Sequence, residues 1–185
     1  MTDRRIACIV EGDGEVAGLP ILLRRIEPDA SVDRPWRCPK GKLGRHEELA
    51  RALEFARRKT SAADLILLLQ DADDQAPCLE APLLLDRARS AAPDRQVRVV
   101  MAKREFEAWF LGALPSLRGL RGIAADAPAV AAPEDIRGAK ERLGSLMGRR
   151  YSPTTDQPAF CDRFDIELAR RNCPSFDKLL RDLGH

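Results

Sequence analysis

Histidine is nearly absent from this 185-residue chain, which holds only His46 and His185. So small a supply argues against histidine-based metal sites and against a Ser-His-Asp triad. The five cysteines, at 8, 38, 78, 161 and 173, are odd in number and nowhere spaced as CxxC. Neither a disulfide framework nor a zinc ribbon is expected, and free thiols fit a reducing cytoplasm. Long apolar runs are missing as well. The longest, Leu65–Leu69, falls far short of a membrane span. The N-terminal run Ile6–Val10 is too short for a signal peptide and meets Glu11 at once. No sign of charge dominates: 31 Lys and Arg face 29 Asp and Glu, for a net charge of +2. That balance excludes a strongly basic nucleic-acid coat and an acidic tail, but not a local basic groove. Lysine is scarce, with six residues, and arginine supplies the rest. Arginine suits bidentate phosphate contacts, yet an Arg- and Ala-rich chain follows more simply from genomic base composition.

What remains is ordinary globular material. The length fits one domain with at most an appendage, and the 44% hydrophobic fraction can bury a core without staples. Ile6–Val10 reads as a buried strand running into the tight Glu-Gly-Asp-Gly loop. Val16–Ile26 has helical spacing, and Pro20 argues that the regular helix begins close to it. Val32–Arg37 reads as a short edge strand holding Pro35. His46–Lys59 is an amphipathic helix with Leu49, Leu53 and Ala56 on one face. Asp64–Gln70 is apolar on both faces and should be the central strand of a covered sheet. A helix from Leu79 to Ala91, a strand from Gln96 to Ala102 and a helix from Glu105 to Leu114 follow. The alternation predicts an α/β fold with a parallel sheet flanked by helices over residues 1–114. Residues 115–185 change texture and read as a helical C-terminal cap on the same domain. Within it, Pro115–Pro133 is loop, Glu134–Met147 a charged helix and Tyr151–Gln157 a loop. Asp162–Arg171 and Ser175–Leu183 are helices, the last with Ser175 as N-cap.

Ligands of open parallel sheets bind beyond the carboxyl ends of the strands. Three predicted strands end there in acids: Glu11 and Glu15, then Asp71 and Asp73, then Glu105 and Glu107. An isolated Asp-x-Asp is usually a polar loop. Three apolar strands that each switch to acids at a buried end are costly unless something neutralises them. Carboxylates without His or Cys suit Mg²⁺ or Mn²⁺. Such ions bind phosphate oxygens and generate hydroxide, and Lys103 stands where it can neutralise charge developing on phosphorus. Gly12-Asp-Gly14-Glu-Val-Ala-Gly18 misses the dinucleotide-binding spacing by one residue, and no GK[ST] follows to make a P-loop. A phosphotransfer receiver would not need Glu-Gly-x-x-Glu, and a haloacid-dehalogenase-type enzyme would carry its Asp-x-Asp after the first strand. Trp109 and Phe110 read as core, His46 as a solvated first-turn residue and Tyr151 as structural. Arg137, Lys140 and Arg142 form a charged helix face that is either solvated or near the phosphate. Asp156-Gln157 and Asp177-Lys178 of the cap are candidates to close over the site, although spacing alone does not place them there.

The layout Glu11-Gly12-x-x-Glu15 followed by Asp71-x-Asp73 resembles the Toprim domain of topoisomerases, primases and overcoming-lysogenization-defect nucleases. Val10–Glu15, Asp71–Asp74, Lys103–Leu111, Ile136–Lys140, Asp156–Ala159 and Ser175–Lys178 together resemble a family of small stand-alone Toprim-like bacterial proteins. That family includes the Toprim effector of the PARIS anti-phage system. The resemblance covers most of the chain. It implies a metal-dependent nuclease used in defence and held by or released from an ATPase partner, and it leaves a homodimer open. Glu11 would be general base or ligand, and Glu15, Asp71 and Asp73 ligands. Glu105 or Glu107 would complete a second metal position, with Lys103 on the phosphate. The alternative is a non-catalytic Toprim-fold subunit that docks on an ATPase. DNA or RNA would be the substrate of the first reading only.

Overall fold

The computed structural model describes residues 4–185; the first three residues of the expected sheet unit lie outside them. The sheet is wholly parallel, and its strands are β1 (Arg5–Val10), β2 (Ser31–Val32), β3 (Trp36–Arg37), β4 (Leu65–Asp71) and β5 (Gln96–Ala102). They lie in the order β2-β1-β4-β5, with β3 also paired to β1. The α/β architecture is therefore as the sequence predicts, and Leu65–Leu69 sit at its centre, essentially sealed from solvent. Alternation in β4 separates two layers. Leu65, Leu67 and Leu69 join Ile6, Cys8 and Val10 in one core, and Ile66 and Leu68 join Ala7 and Ile9 in the other.

Helices α2 (His46–Arg57) and α3 (Pro77–Ala91) cover the second face, through Leu49, Leu53, Leu84 and Ala88. The first face is covered by α1 (Asp13–Ile26), α4 (Ala108–Gly112) and the cap. The cap comprises α5 (Ala139–Met147), α6 (Pro153–Cys161), α7 (Ile166–Asn172) and α8 (Pro174–Leu183). Phe160, Phe164 and Phe176 of its helices and turns pack on Phe110 and Trp109 of α4. Cap and sheet share one core. No helix among the described residues is long and apolar enough to cross a membrane.

Several boundaries differ from the sequence reading. Helix α1 begins at Asp13, directly after the Glu-Gly turn, and carries Pro20 in its interior. Burial of Leu19, Leu22 and Leu23 outweighs the hydrogen bond that Pro20 cannot donate. The expected edge strand is two two-residue strands on either side of Pro35. Helix α4 is only five residues long and passes into a 3₁₀ turn at Leu114–Leu117. Helix α5 starts five residues later than expected, because Gly138 takes a left-handed conformation (φ 71°) and Pro133–Asp135 form a separate turn. The expected loop Tyr151–Gln157 enters α6, with Pro153 tolerated in its first turn. Ser175 does not cap α8. Its hydroxyl accepts from Trp109 Nε1 at 2.8 Å and donates to Glu134, while Cys173 takes the N-cap position.

Candidate active site at the carboxyl edge of the sheet

All three acid-bearing segments emerge at the carboxyl edge of the same sheet, as parallel pairing requires. Glu11, Glu15 and Asp71 line one cavity of about 300 Å³, together with Lys140, Gln157, Gly12 and Gly14. Glu11 and Asp71 also border a neighbouring cavity of about 390 Å³ that Asp73 lines. Those two acids and Gln70 form the divide between the cavities.

Backbone geometry explains how each acid is placed. Glu11 follows β1, and its Oε1 accepts the backbone N–H groups of Lys42 and Leu43 at 3.1 and 3.0 Å. Glu15 sits in the first turn of α1 and is buried. A Cβ at residue 12 would lie 1.9 Å from Glu15 Oε2, so the glycine of Glu-Gly-x-x-Glu leaves the room that this carboxylate occupies. Asp71 ends β4, and its Oδ1 accepts the N–H of Phe106 at 2.7 Å, which ties the β4 exit to the segment after β5. Asp73 and Arg104 both adopt left-handed backbone (φ 48° and 65°) and stay paired, Asp73 N to Arg104 O at 2.9 Å. Asp74 turns to Arg104 and Arg137.

The remaining predicted residues divide. Glu105 accepts the N–H groups of Ala139 and Lys140 at 3.2 and 3.3 Å, so it caps the start of α5. Glu107 is wholly buried, and neither of its oxygens has a hydrogen-bond partner among the described residues. Lys103 is not brought to the cavity. Its ammonium pairs with Asp135 at 2.6 Å, and the residue lines a separate apolar groove beside β5.

The cation at the acids is Lys140. Its Nζ lies 3.4 Å from Glu107, 3.6 Å from Asp71 and 3.9 Å from Glu105. The sequence shows it only as one of three basic residues on a helix, with nothing to say which of them turns inward. Of the two cap pairs that are candidates to close over the site, Gln157 does line the cavity, whereas Asp177 pairs with Arg170 and Arg181 and Lys178 with Asp182. Gln157 is 1% exposed, neither carboxamide atom has a hydrogen-bond partner among the described residues, and its Oε1 rests where a side chain on Gly14 would be.

One ammonium does not balance this many carboxylates. Burial pushes Asp71 up to about 7, and Glu15 adds to it, while Lys140 and the Phe106 N–H pull the other way. Burial pushes Glu107 up to about 8, with Asp71 and Glu15 adding to it. Glu15 is raised by burial too. Burial alone would lower Lys140, but Glu107, Asp71 and Glu105 outweigh it and hold the ammonium above its usual range. The cluster therefore keeps protons at neutral pH that isolated carboxylates would release.

Among the described residues, no three His, Cys, Asp or Glu side chains converge closely enough to hold a metal ion as placed. The donor chemistry does suit a hard divalent cation. Glu11, Glu15 and Asp71 offer only oxygen and, with Asp13, outnumber the two lysines, Lys40 and Lys140, that line the same cavity.

A family model described as Domain of unknown function (DUF4276) matches residues 10–184, and the chain belongs to that family. No curated protein and no solved structure matches the chain.

Proposed function

We propose that this member of the DUF4276 family is a Toprim-like, Mg²⁺- or Mn²⁺-dependent phosphodiesterase acting on nucleic acid. The observation that carries the reading is the under-neutralised set Glu11, Glu15 and Asp71 around one cavity at the carboxyl edge of a parallel sheet. Glu11, Glu15 and Asp71 would hold the ion, and Asp73 borders the adjoining cavity. When bound, such an ion polarises a phosphate oxygen and makes a water acidic enough to attack.

The chain's own groups have separable tasks. Glu11 has one oxygen fixed by the Lys42 and Leu43 N–H groups, so the carboxylate is oriented before substrate arrives. Its other oxygen, Oε2, is left either to ligate the ion or to accept a proton leaving water, the general-base role. Lys140 keeps Asp71 and Glu107 close together in spite of their repulsion. Lys40 also lines the cavity and offers a cation to an arriving phosphate. The five unpaired thiols fit a reducing cytoplasm. Control by an ATPase partner in anti-phage defence rests on the family resemblance alone.

One observation favours a second reading. Lys140 already supplies a cation to Asp71, Glu105 and Glu107, which fits a non-catalytic subunit that docks on an ATPase and keeps its acids folded without metal. The experiment is incubation of the purified protein with plasmid, single-stranded DNA and tRNA, with Mn²⁺ or EDTA. It is run with and without any ATPase encoded beside it. Manganese-dependent cleavage that EDTA stops and Glu11→Gln removes is the expected result. No cleavage in any arm, with partner binding retained, would leave the docking subunit.

A further inference from the structure

Glu105 and Glu107 are the acids that a second metal ion would need, and both are already engaged. Glu105 spends its two oxygens on the N–H groups that open α5. Glu107 lies wholly inside the protein, and the Lys140 ammonium stands 3.4 Å from it. The same ammonium is 3.6 Å from Asp71 and 3.9 Å from Glu105, which places it among three carboxylates. Glu105 anchors Lys140 at both ends, through the backbone N–H at 3.3 Å and more loosely through the ammonium. The side chain is about two-thirds shielded from solvent.

We infer that Lys140 is a built-in second cation: the site takes a single divalent ion, at Glu11, Glu15 and Asp71, and the lysine stands where another would otherwise be required. The inference rests on the proposed metal-dependent reading and adds the number of ions. A tethered ammonium differs from a metal in two ways. It cannot be chelated away, and it supplies charge without open coordination positions, so it neutralises carboxylates but activates no water. Because Lys140 belongs to the cap, the acid cluster is complete only when cap and sheet are folded together.

The test counts Mn²⁺ rather than turnover. Full-length protein is titrated with Mn²⁺, with bound ion followed by electron paramagnetic resonance and calorimetry, and with urea midpoints measured in EDTA and in Mn²⁺. Wild type should bind one ion. Lys140→Met should lose stability in EDTA, because three carboxylates lose their counter-charge. It should bind two ions, and Mn²⁺ should restore its midpoint to the wild-type value. The double variant Lys140→Met, Glu107→Gln removes one charge of each sign and guards against a misfolded single variant. It should fold like wild type and bind one ion. Two ions in wild type would overturn the inference while leaving the phosphodiesterase reading intact. A single ion in Lys140→Met without rescue by Mn²⁺ would overturn it in the same way. If wild type binds no Mn²⁺, both readings fall together.

Discussion

Two buried carboxylate sites in this protein both set acids against basic side chains and behave in opposite ways. Asp156, on α6, has no exposed side-chain surface and is met by two arginines and a backbone N–H. Arg121 donates to Oδ1 at 2.8 and 2.6 Å, Arg149 grips both oxygens at 2.9 and 2.7 Å, and Ser152 N donates to Oδ2 at 2.8 Å. Burial would raise this acid, yet Arg149, Ser152 and Arg121 hold it down to about 2. At the sheet edge, Glu107, Asp71 and Glu105 share one lysine, and Asp71 and Glu107 sit at about 7 and about 8. The difference is the number of donors per carboxylate, not depth alone. The Asp156 site is saturated and holds the loop bearing Arg121 to the cap. The sheet-edge site has fewer cations than acids, which is the state in which an added divalent ion has most to offer.

The sharpest way to break the comparison is Glu11→Gln, which should cut nucleic-acid cleavage by about 10²–10⁴-fold through loss of the general base. Its urea midpoint should barely move, because a glutamine oxygen still accepts from Lys42 and Leu43. Undiminished cleavage in a folded Glu11→Gln protein would remove Glu11 from the site.

Asp156→Ala should act on the other axis. It leaves Arg121 and Arg149 facing each other without their carboxylate, and both are partly solvated. The expected loss is about 2–3 kcal/mol of stability, below the full value for a wholly buried pair, read from denaturant unfolding. The pH dependence follows from a folded value of about 2 against an ordinary 3.8. The unfolded chain binds this proton more readily, so the stabilisation is complete above pH ~4 and is lost as pH falls toward ~2. In Asp156→Asn that acid limb should flatten.

These two sites were not equally legible. Strands β4 and β5, helix α2 and the acids at the strand exits are visible in the sequence, because period, apolar runs and a parallel βα alternation all agree. Parallel pairing then places Glu11, Asp71 and Lys103 on one edge without further information. What could not be read depends on rotation about a helix axis or on packing. Residues 151–157 hold two prolines' worth of warning, Pro153 within them and Pro158 just beyond, yet α6 forms because Gly14 and Gly18 of α1 leave space for it. Lys140 turns inward because Glu105 fixes the start of α5 and Gly138 sets its entry. Neither contact has a signature in spacing.

A smaller effect, of the opposite sign to Asp156→Ala, is expected at the sheet edge. Asp71 and Glu107 have folded values of about 7 and about 8, above their ordinary 3.8 and 4.5. Here the folded state holds the proton more tightly, so the stabilisation is complete below pH ~4 and is lost as pH rises through ~7–8. Asp71→Asn removes much of that dependence while still accepting from Phe106 N through its side-chain oxygen. Metal-free Asp71→Asn should match wild type or exceed it by about 1 kcal/mol at pH 8, and calorimetry should find its Mg²⁺ binding abolished. Strong destabilisation at pH 8 would make Asp71 a structural cap like Asp156.

The smallest effect should come from Lys103, although its position after β5 and the sequence pattern point it at phosphate. Its ammonium pairs with Asp135, and both side chains are largely solvated. Exposed pairs of this kind contribute about 0–1 kcal/mol. A lysine engaged there must break that pair and leave the groove beside β5 before it can reach an acid-bound phosphate. Lys103→Ala should therefore change the urea midpoint very little and cleavage by less than about threefold, a difference below 1 kcal/mol in barrier. Lys140 already stands at the acids, so no second lysine is needed to hold Asp71 and Glu107 together. If Lys103→Ala lowers kcat more than tenfold at unchanged stability and unchanged Mn²⁺ affinity, Lys103 swings into the site during turnover. The positive charge of the sheet-edge site would then be shared between strand and cap.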